Sequence, residues 1–377
     1  MSTIECQVAV LGSGPAGAAT AITLNRHAPH LEVVVVAGNR GKQPRMGETL
    51  PPHARGILSQ LGLWSAFSRE AHHPCHGFQA AWGTEALVDQ PFVFATRGIG
   101  WHLDRARFDE FLANAAKTCG NRLLHGTRTI GPVDGEAGDW LLPLIGHPEA
   151  TRLRAEFVVD ACGRTAWFAR RQGAEHRAED RLLGWYTNFR TEPTEAYTTI
   201  EAVPNGWWYS SAMPGGRMVV ALMTDRDCFR SWRSSDWWDA LAQTRHTRAR
   251  LTRARPLGPP RRRPAFSQRL DPVTGPGWLA TGDAAMAVDP LSSQGICRAL
   301  SSGIFAGYAI ADHFAGRPMA MRRYRYLIEE TFHHYLATRA KYYRMERRWP
   351  DERFWQRRHS CSSAESRPIR QETPISS

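Results

Sequence analysis

Near the start of the chain, Gly12-Ser-Gly14-Pro15-Ala16-Gly17 has the residue types and spacing to hold a pyrophosphate. Cys6 to Leu11 reads as a short buried strand before it, a helix is predicted from Ala18 to Asn25, and a second strand from Leu31 to Val36. In that setting Gly12 permits the turn, Gly14 lets backbone approach the phosphates, and Gly17 allows close helix-to-strand packing. The N–H groups of the helix start then face the anion. An acidic residue usually ends the second strand and holds a ribose, but Ala37 and Gly38 stand there. Asn39 is the candidate for part of that ribose contact, and Arg40 adds positive charge nearby.

A second set lies some 270 residues later: Gly282-Asp283, then Asp289-Pro290-Leu-Ser-Ser293-Gln294-Gly295, after a strand predicted around Trp278 to Ala280. It leads into a buried helix from Ile296 to Phe314, whose first N–H groups can face an anionic ring or phosphate. Asp160 ends a strand predicted from Glu156. Arg105 and Arg107 open a helix predicted over Asp104 to Lys117. Arginines at a helix start oppose its dipole, so at least one is expected to answer a phosphate or carboxylate. Glu48, His53 and His102 are candidate proton-handling groups, each with a structural alternative: Glu48 as a strap in Glu48-Thr-Leu-Pro-Pro52, and His102 as a buried residue before a helix. Asp289 influences either the site or only the turn that Pro290 makes.

The elements that must position these residues fall into two patterns. Residues 181–229 are short runs rich in Trp, Tyr, Thr and Val, punctuated by Pro-Asn-Gly and Pro-Gly-Gly, which predicts an antiparallel sheet joined by the region from Trp82 to Trp101. Helices are predicted from His53 to Leu61, Asp236 to Arg253 and Arg323 to Arg348, and a basic loop from Arg255 to Arg263. Trp207 and Tyr209 serve either as core or as the wall of a dry pocket.

The 377 residues, 42% hydrophobic and 22% charged, are enough to bury a substantial core. Seven scattered cysteines, with no pair at metal-binding or redox spacing, argue against a disulfide framework and a cysteine-built metal site. No metal is expected, and the cytoplasm is the default. No apolar run approaches the roughly 20 residues of a spanning helix, so no membrane association is expected. The net charge of +12 would suit acidic partners. The basic stretch lacks an aromatic platform or docking motif, so nucleic acid is not expected as a partner.

Taken together, Gly12 to Gly17, Asp104 to Asp109, Asp160 to Arg164 and Gly282 to Gly295 resemble the FAD-containing monooxygenase superfamily that includes flavin-dependent halogenases and geranylgeranyl reductases. The resemblance covers most of the first 345 residues. It implies an α/β fold: an FAD-binding Rossmann-like domain with an inserted antiparallel β-sheet substrate domain and a C-terminal helical region. The expected boundaries are 1–78, 102–180 and 264–318 for the discontinuous FAD domain, 79–101 and 181–263 for the substrate domain, 319–359 for the helical region and 360–377 for a flexible tail. FAD is the implied cofactor. Gly12, Gly14, Pro15, Ala16 and Gly17 would hold its ADP half, with Asn39, Arg40 and Glu48 also assigned to its binding. Arg107 would approach the pyrophosphate, Asp160 the nucleotide portion and Asp283 the ribityl or phosphate region. Pro290, Ser293, Gln294, Gly295 and Ile296 would border the isoalloxazine ring.

Gly206-Trp-Trp-Tyr-Ser210, Met213-Pro214, Gly77-Phe-Gln-Ala-Ala-Trp-Gly83 and the Glu48 strap are most similar to flavoprotein monooxygenases that mature cysteine tryptophylquinone enzymes. This implies hydroxylation of an aromatic substrate through a flavin hydroperoxide, the substrate being a tryptophan of a precursor polypeptide, with a separate flavin reductase. Orientation would matter more than a strong base. Family halogenases place a lysine after a Gly-Phe pair, whereas Gln79 follows Gly77-Phe78 and has no ionisable amine. Lys42 and Lys117 remain, and neither occupies the motif position. A halogenase or other flavin oxidoreductase on a small aromatic molecule is the alternative, and a noncatalytic flavin-fold assembly protein the second.

Overall fold

The computed structural model describes residues 2–38, 48–92, 98–130, 135, 138–192, 196–228 and 233–360. Asn39, Arg40 and residues 361–377 of the expected tail therefore lie outside the described residues, as does the side chain of Glu48.

The fold is mixed α/β. The β-branched runs Ser2–Leu11, Val33–Ala37 and Ala150–Asp160 form the parallel centre of an eight-stranded sheet, where Val8, Ala9 and Val10 have no exposed surface. Trp278–Ala280 joins Ala150–Asp160 in parallel on one side, and Arg122–His125 joins Val33–Ala37 on the other. Helices Pro15–His27 and Gly295–Phe314 cross closely over this sheet because the second is thinned by glycine. A Cβ on Gly303 would stand 2.3 Å from the carbonyl oxygen of Ala16, and one on Gly307 would stand 2.6 Å from the Thr23 side chain.

A second eight-stranded sheet is antiparallel apart from one parallel pair, Gly77–Ala81 with Tyr197–Val203. Its long members are Leu182–Arg190, Gly206–Met213 and Arg217–Asp225. Strand alternation sends Trp207 to the face shared with Tyr186 and Tyr209, and Trp208 to the face packed on Trp237. Both faces are covered, which accounts for the unbroken burial of Gly206–Met213.

Three local expectations are corrected. The helix expected over 236–253 is two, Ser234–Ala242 and His246–Ala249. Buried Glu201 accepts the backbone N–H groups of Arg245, His246 and Thr247, and so starts a new helix there. The expected basic loop contains the strands Arg255–Pro256 and Arg261–Pro264, both paired to the edge of Leu182–Arg190, a position that tolerates proline. The C-terminal helix Ala320–Met345 is followed by another, Arg353–His359. Arg357 and Arg358 of that helix reach the buried Asp225 carboxylate at 2.9 and 2.8 Å, and Trp355 Nε1–H donates to the Val203 carbonyl at 3.0 Å.

Candidate active site

Two cavities meet at Asp283 and Gly295. The larger, about 430 Å³, is walled by Gly12 to Ala16, the turn Ala161 to Gly163, Arg105, Asp109 and Ile296. Gly12 has φ +119°, and a Cβ there would stand 2.4 Å from the Ala161 carbonyl oxygen. A Cβ on Gly17 would stand 1.9 Å from the Gly12 carbonyl oxygen. The turn therefore admits only glycine at these positions. Pro15 begins its helix with no side-chain cap, leaving N–H groups of the first turn directed at the cavity. Gly295 begins the 20-residue helix, and a Cβ on it would meet nothing within 4 Å. Asp283 accepts no hydrogen bond from any described residue. Burial pushes its carboxyl pKa up, opposed by the charges of Arg164 and Arg105.

The second cavity, about 220 Å³, is bounded by Thr49, Arg164, Tyr209, Met223, Pro264, Ala265, Val288, Pro290 and Ser293. Ser293 holds a left-handed backbone at φ +50° as the chain turns into the helix. Arg164 donates to the carbonyls of Phe266 at 2.7 Å and Val288 at 3.4 Å. Its guanidinium is thus fixed between the sheet and the Asp289 turn.

Several residues expected at the site act from behind its wall. Asp160 is fully buried, and its carboxylate is consumed by the N–H groups of Cys162, Phe168 and Ala169 at 3.0, 2.8 and 2.9 Å. It shapes the turn that lines the cavity rather than lining it. Arg107, expected near the pyrophosphate, turns away from the cavity to Glu70 at 3.0 Å, while Arg105, paired with Asp109 at 3.3 Å, lines it. Both arginines thus answer a protein carboxylate, and of the two Arg105 also lines the cavity.

Asp289 and Trp207 also sit outside both linings. The Asp289 carboxylate accepts the Leu291 N–H at 2.8 Å and the Tyr343 hydroxyl at 2.6 Å, and its own N–H donates to Tyr335 at 2.7 Å. Burial leads in raising its pKa, with Asp180 adding to it. Trp207 Nε1–H donates to the Tyr343 oxygen at 3.0 Å. Gln79 donates to Asp89 at 3.1 Å and accepts from Thr199 at 3.4 Å, so its carboxamide is engaged within the sheet. His53 precedes helix Ala54–Gln60, and Gln294 caps the long helix without a side-chain bond.

Tyr209 is the expected aromatic residue that does face the second cavity, its hydroxyl 3.3 Å from Thr49 Oγ1. Behind them His102 is fully buried, with Nδ1 2.8 Å from Ser211 Oγ and 3.4 Å from Thr49 Oγ1. Burial, then the charges of His73 and Arg250, push its pKa down to about 3, so it is neutral at ordinary pH. Thr49, Arg164 and Met223 were not singled out as site residues from sequence, and Arg105 was named there with Arg107 but not assigned to the cofactor. Arg164 was within reach, since it closes the Asp160 to Arg164 motif.

Residues 84–370 match the tryptophan halogenase family. The chain belongs to that family. LodB of Marinomonas mediterranea, described as an FAD-dependent oxidoreductase, is 30% identical over 364 residues, which is 94% of this chain and 97% of LodB. The solved structure of CmlS, a flavin-dependent halogenase, superposes with a TM-score of 0.84 at 23% identity, over 96% of this chain and 68% of its own. That of QhpG, a peptidyl tryptophan dihydroxylase essential for tryptophylquinone cofactor biogenesis, gives 0.76 at 25% identity, over 96% and 80%. This family member is an FAD-dependent enzyme. The cavities fit the cofactor: two glycine-opened helix starts face them, and Asp283 is a carboxylate without a donor among the described residues. No described helix is long and apolar enough to cross a membrane.

Proposed function

We propose that this protein is an FAD-dependent monooxygenase that hydroxylates an aromatic group, a tryptophan side chain of a precursor polypeptide. The observation that carries the reading is the absence of an amine at the reaction space among the described residues, Lys42 lying outside them. Among the described residues no lysine lines either cavity; Lys117 and Lys341 are exposed, and Gln79 occupies the position after Gly77-Phe78. No amine among the described residues stands at the motif position or on the cavities to receive or guide hypohalous acid, which weighs against halogenation. The likeness to a peptidyl tryptophan dihydroxylase supports the same direction.

In this reading the N–H groups of Ser13, Gly14 and Ala16 hold the FAD pyrophosphate and Asp283 takes ribityl hydroxyls. Asn39, Arg40 and Glu48 remain assigned to FAD binding from the sequence alone, and the start of the Gly295 helix borders the ring. Bound and reduced by a separate flavin reductase, FAD supplies the activation of dioxygen. The chain orients the substrate and keeps water out. Tyr209, Met223, Pro264 and Ala265 give the second cavity a largely apolar wall. The Tyr209 hydroxyl is the group on that wall that holds a proton, backed by Thr49 and by neutral His102 through Ser211. His53 and Glu48 remain assigned to proton handling, and Asp289 and Trp207 to shaping the pocket.

The family match favours a second reading, halogenation of a small aromatic molecule. Turnover with reduced FAD, dioxygen and a tryptophan-containing peptide, with and without chloride and bromide, separates the two. Hydroxylation proceeds equally in halide-free buffer. A product that forms only with halide and carries the halogen rejects it.

A further inference from the structure

The wall of the second cavity includes a thioether, Met223, which has no exposed surface. Among the described residues no other methionine lines either cavity. Its strand Arg217–Asp225 lies between two others, so that Met223 has Gly184 on one side and Trp207 on the other. Gly184 leaves room for the side chain, since a Cβ there would stand 3.2 Å from the Met223 sulfur.

Strand alternation separates Met223 from Met218, five residues earlier. Both are wholly buried, but Met218 packs with Trp208 and Trp237 on the opposite face of the sheet, whereas Met223 shares a face with Trp207 and Tyr209. Met319 and Met345 are 41% and 60% exposed. The chain thus holds the same chemical group in three settings: on the cavity, buried away from it, and in solvent.

Thioethers take one oxygen atom from a peroxide. Thr49, Arg164, Tyr209 and the other residues of the second lining carry no sulfur. When no substrate accepts the oxygen, reduced FAD and dioxygen give oxidised FAD and hydrogen peroxide. The sulfur lone pair then attacks one peroxide oxygen; an S–O bond forms as the O–O bond breaks, and water is released. Sulfur loses two electrons and the peroxide gains them. Peroxide in bulk solvent meets Met345 first, while peroxide formed in the cavity meets Met223 first.

Resting on the reading of dioxygen activation at bound FAD, we infer that Met223 is the site at which this protein oxidises itself when the second cavity holds no aromatic substrate. The sulfoxide places a polar oxygen in a largely apolar wall and so disturbs the substrate space. The FAD cavity, which Met223 does not line, is left intact. Substrate in the cavity protects the enzyme.

The test turns over the full-length protein with FAD, a flavin reductase, isotopically labelled dioxygen and excess catalase, which destroys escaped peroxide, with no substrate present. Cleavage after Arg217 and Arg226 leaves Met218 and Met223 on one peptide, whose fragment masses assign the added oxygen. Labelled sulfoxide should form at Met223 at least 10-fold faster than at Met218 or Met345. A tryptophan-containing peptide should slow it at least 5-fold. Hydrogen peroxide added to FAD-free protein should reverse the order and take Met345 first. The oxidised protein should keep its FAD affinity within 2-fold while losing activity, and Met223→Leu should lose its own starting activity at least 5-fold more slowly. Oxidation of Met345 ahead of Met223 during turnover, equal labelling of Met218 and Met223, or a Met223 that substrate does not protect would overturn the inference. Product mass tells the two readings apart. A hydroxylated peptide beside unlabelled Met223 removes only this assignment, whereas label in neither peptide nor protein removes the dioxygen chemistry as well.

Discussion

Tyr343 donates its phenolic hydrogen to the Asp289 carboxylate at 2.6 Å, across 54 residues of chain, while accepting the Trp207 indole N–H at 3.0 Å. One hydroxyl thus ties the aromatic sheet to the turn that supplies Pro290 and Ser293 to the second cavity. The C-terminal helix is a brace for the site.

Replacing Tyr343 by phenylalanine keeps the ring and removes both bonds, leaving a buried carboxylate oxygen and a buried indole N–H unpaired. The expected loss is about 2 kcal/mol of folding stability. Urea unfolding of the variant measures it, and a midpoint equal to that of the unaltered protein would show that the bridge contributes nothing.

His102 makes stability depend on pH in a defined direction. Its ordinary pKa of 6.5 falls to about 3 in the fold, because burial and the neighbouring His73 and Arg250 disfavour the charged ring. Between those values the unfolded chain binds a proton that the folded one refuses. The contribution is complete above pH 6.5 and is lost as the pH falls toward 3, about 2 kcal/mol having gone by pH 5. His102→Gln should lose that much less than the unaltered protein between pH 7 and pH 5 in urea unfolding.

Gly295 separates cofactor binding from folding. A side chain there meets no protein atom within 4 Å and projects where both cavities join. Gly295→Val should keep its melting temperature within a few degrees and bind FAD at least 10-fold more weakly by calorimetric titration. Gly17→Ala should instead fail to fold stably, since its new methyl would lie against the Gly12 carbonyl.

Arg358 anchors the last helix. It is nearly enclosed and reaches Asp225, a buried carboxylate that Arg357 also approaches at 2.9 Å. Arg358→Met leaves Asp225 half-compensated and should cost about 3 kcal/mol. Faster proteolytic cleavage between Glu346 and Arg353 than in the unaltered chain would accompany it.

The glycine turn was legible because its spacing encodes backbone geometry: Gly12 and Gly17 are required by contacts of 2.4 and 1.9 Å that no other residue allows. The Asp289 to Gly295 stretch was legible for the same reason, through a proline, a tight turn and a helix start. The choice between Arg105 and Arg107 was not. Both occupy the first turn of one helix, and only tertiary packing decides which of the two faces Glu70. Tyr343 was hidden in an amphipathic helix where any buried tyrosine reads as core, and its partners Trp207 and Asp289 are distant in sequence. The pairing of Arg261–Pro264 was equally unreadable, since an edge strand of arginine and proline carries no alternation of apolar residues.

The proposed chemistry is tested most directly by the mass of the product formed from a tryptophan-containing peptide under isotopically labelled dioxygen, with reduced FAD and bromide present. Labelled oxygen in the indole ring, with no bromine, is the expected result. A brominated peptide carrying no label would contradict it.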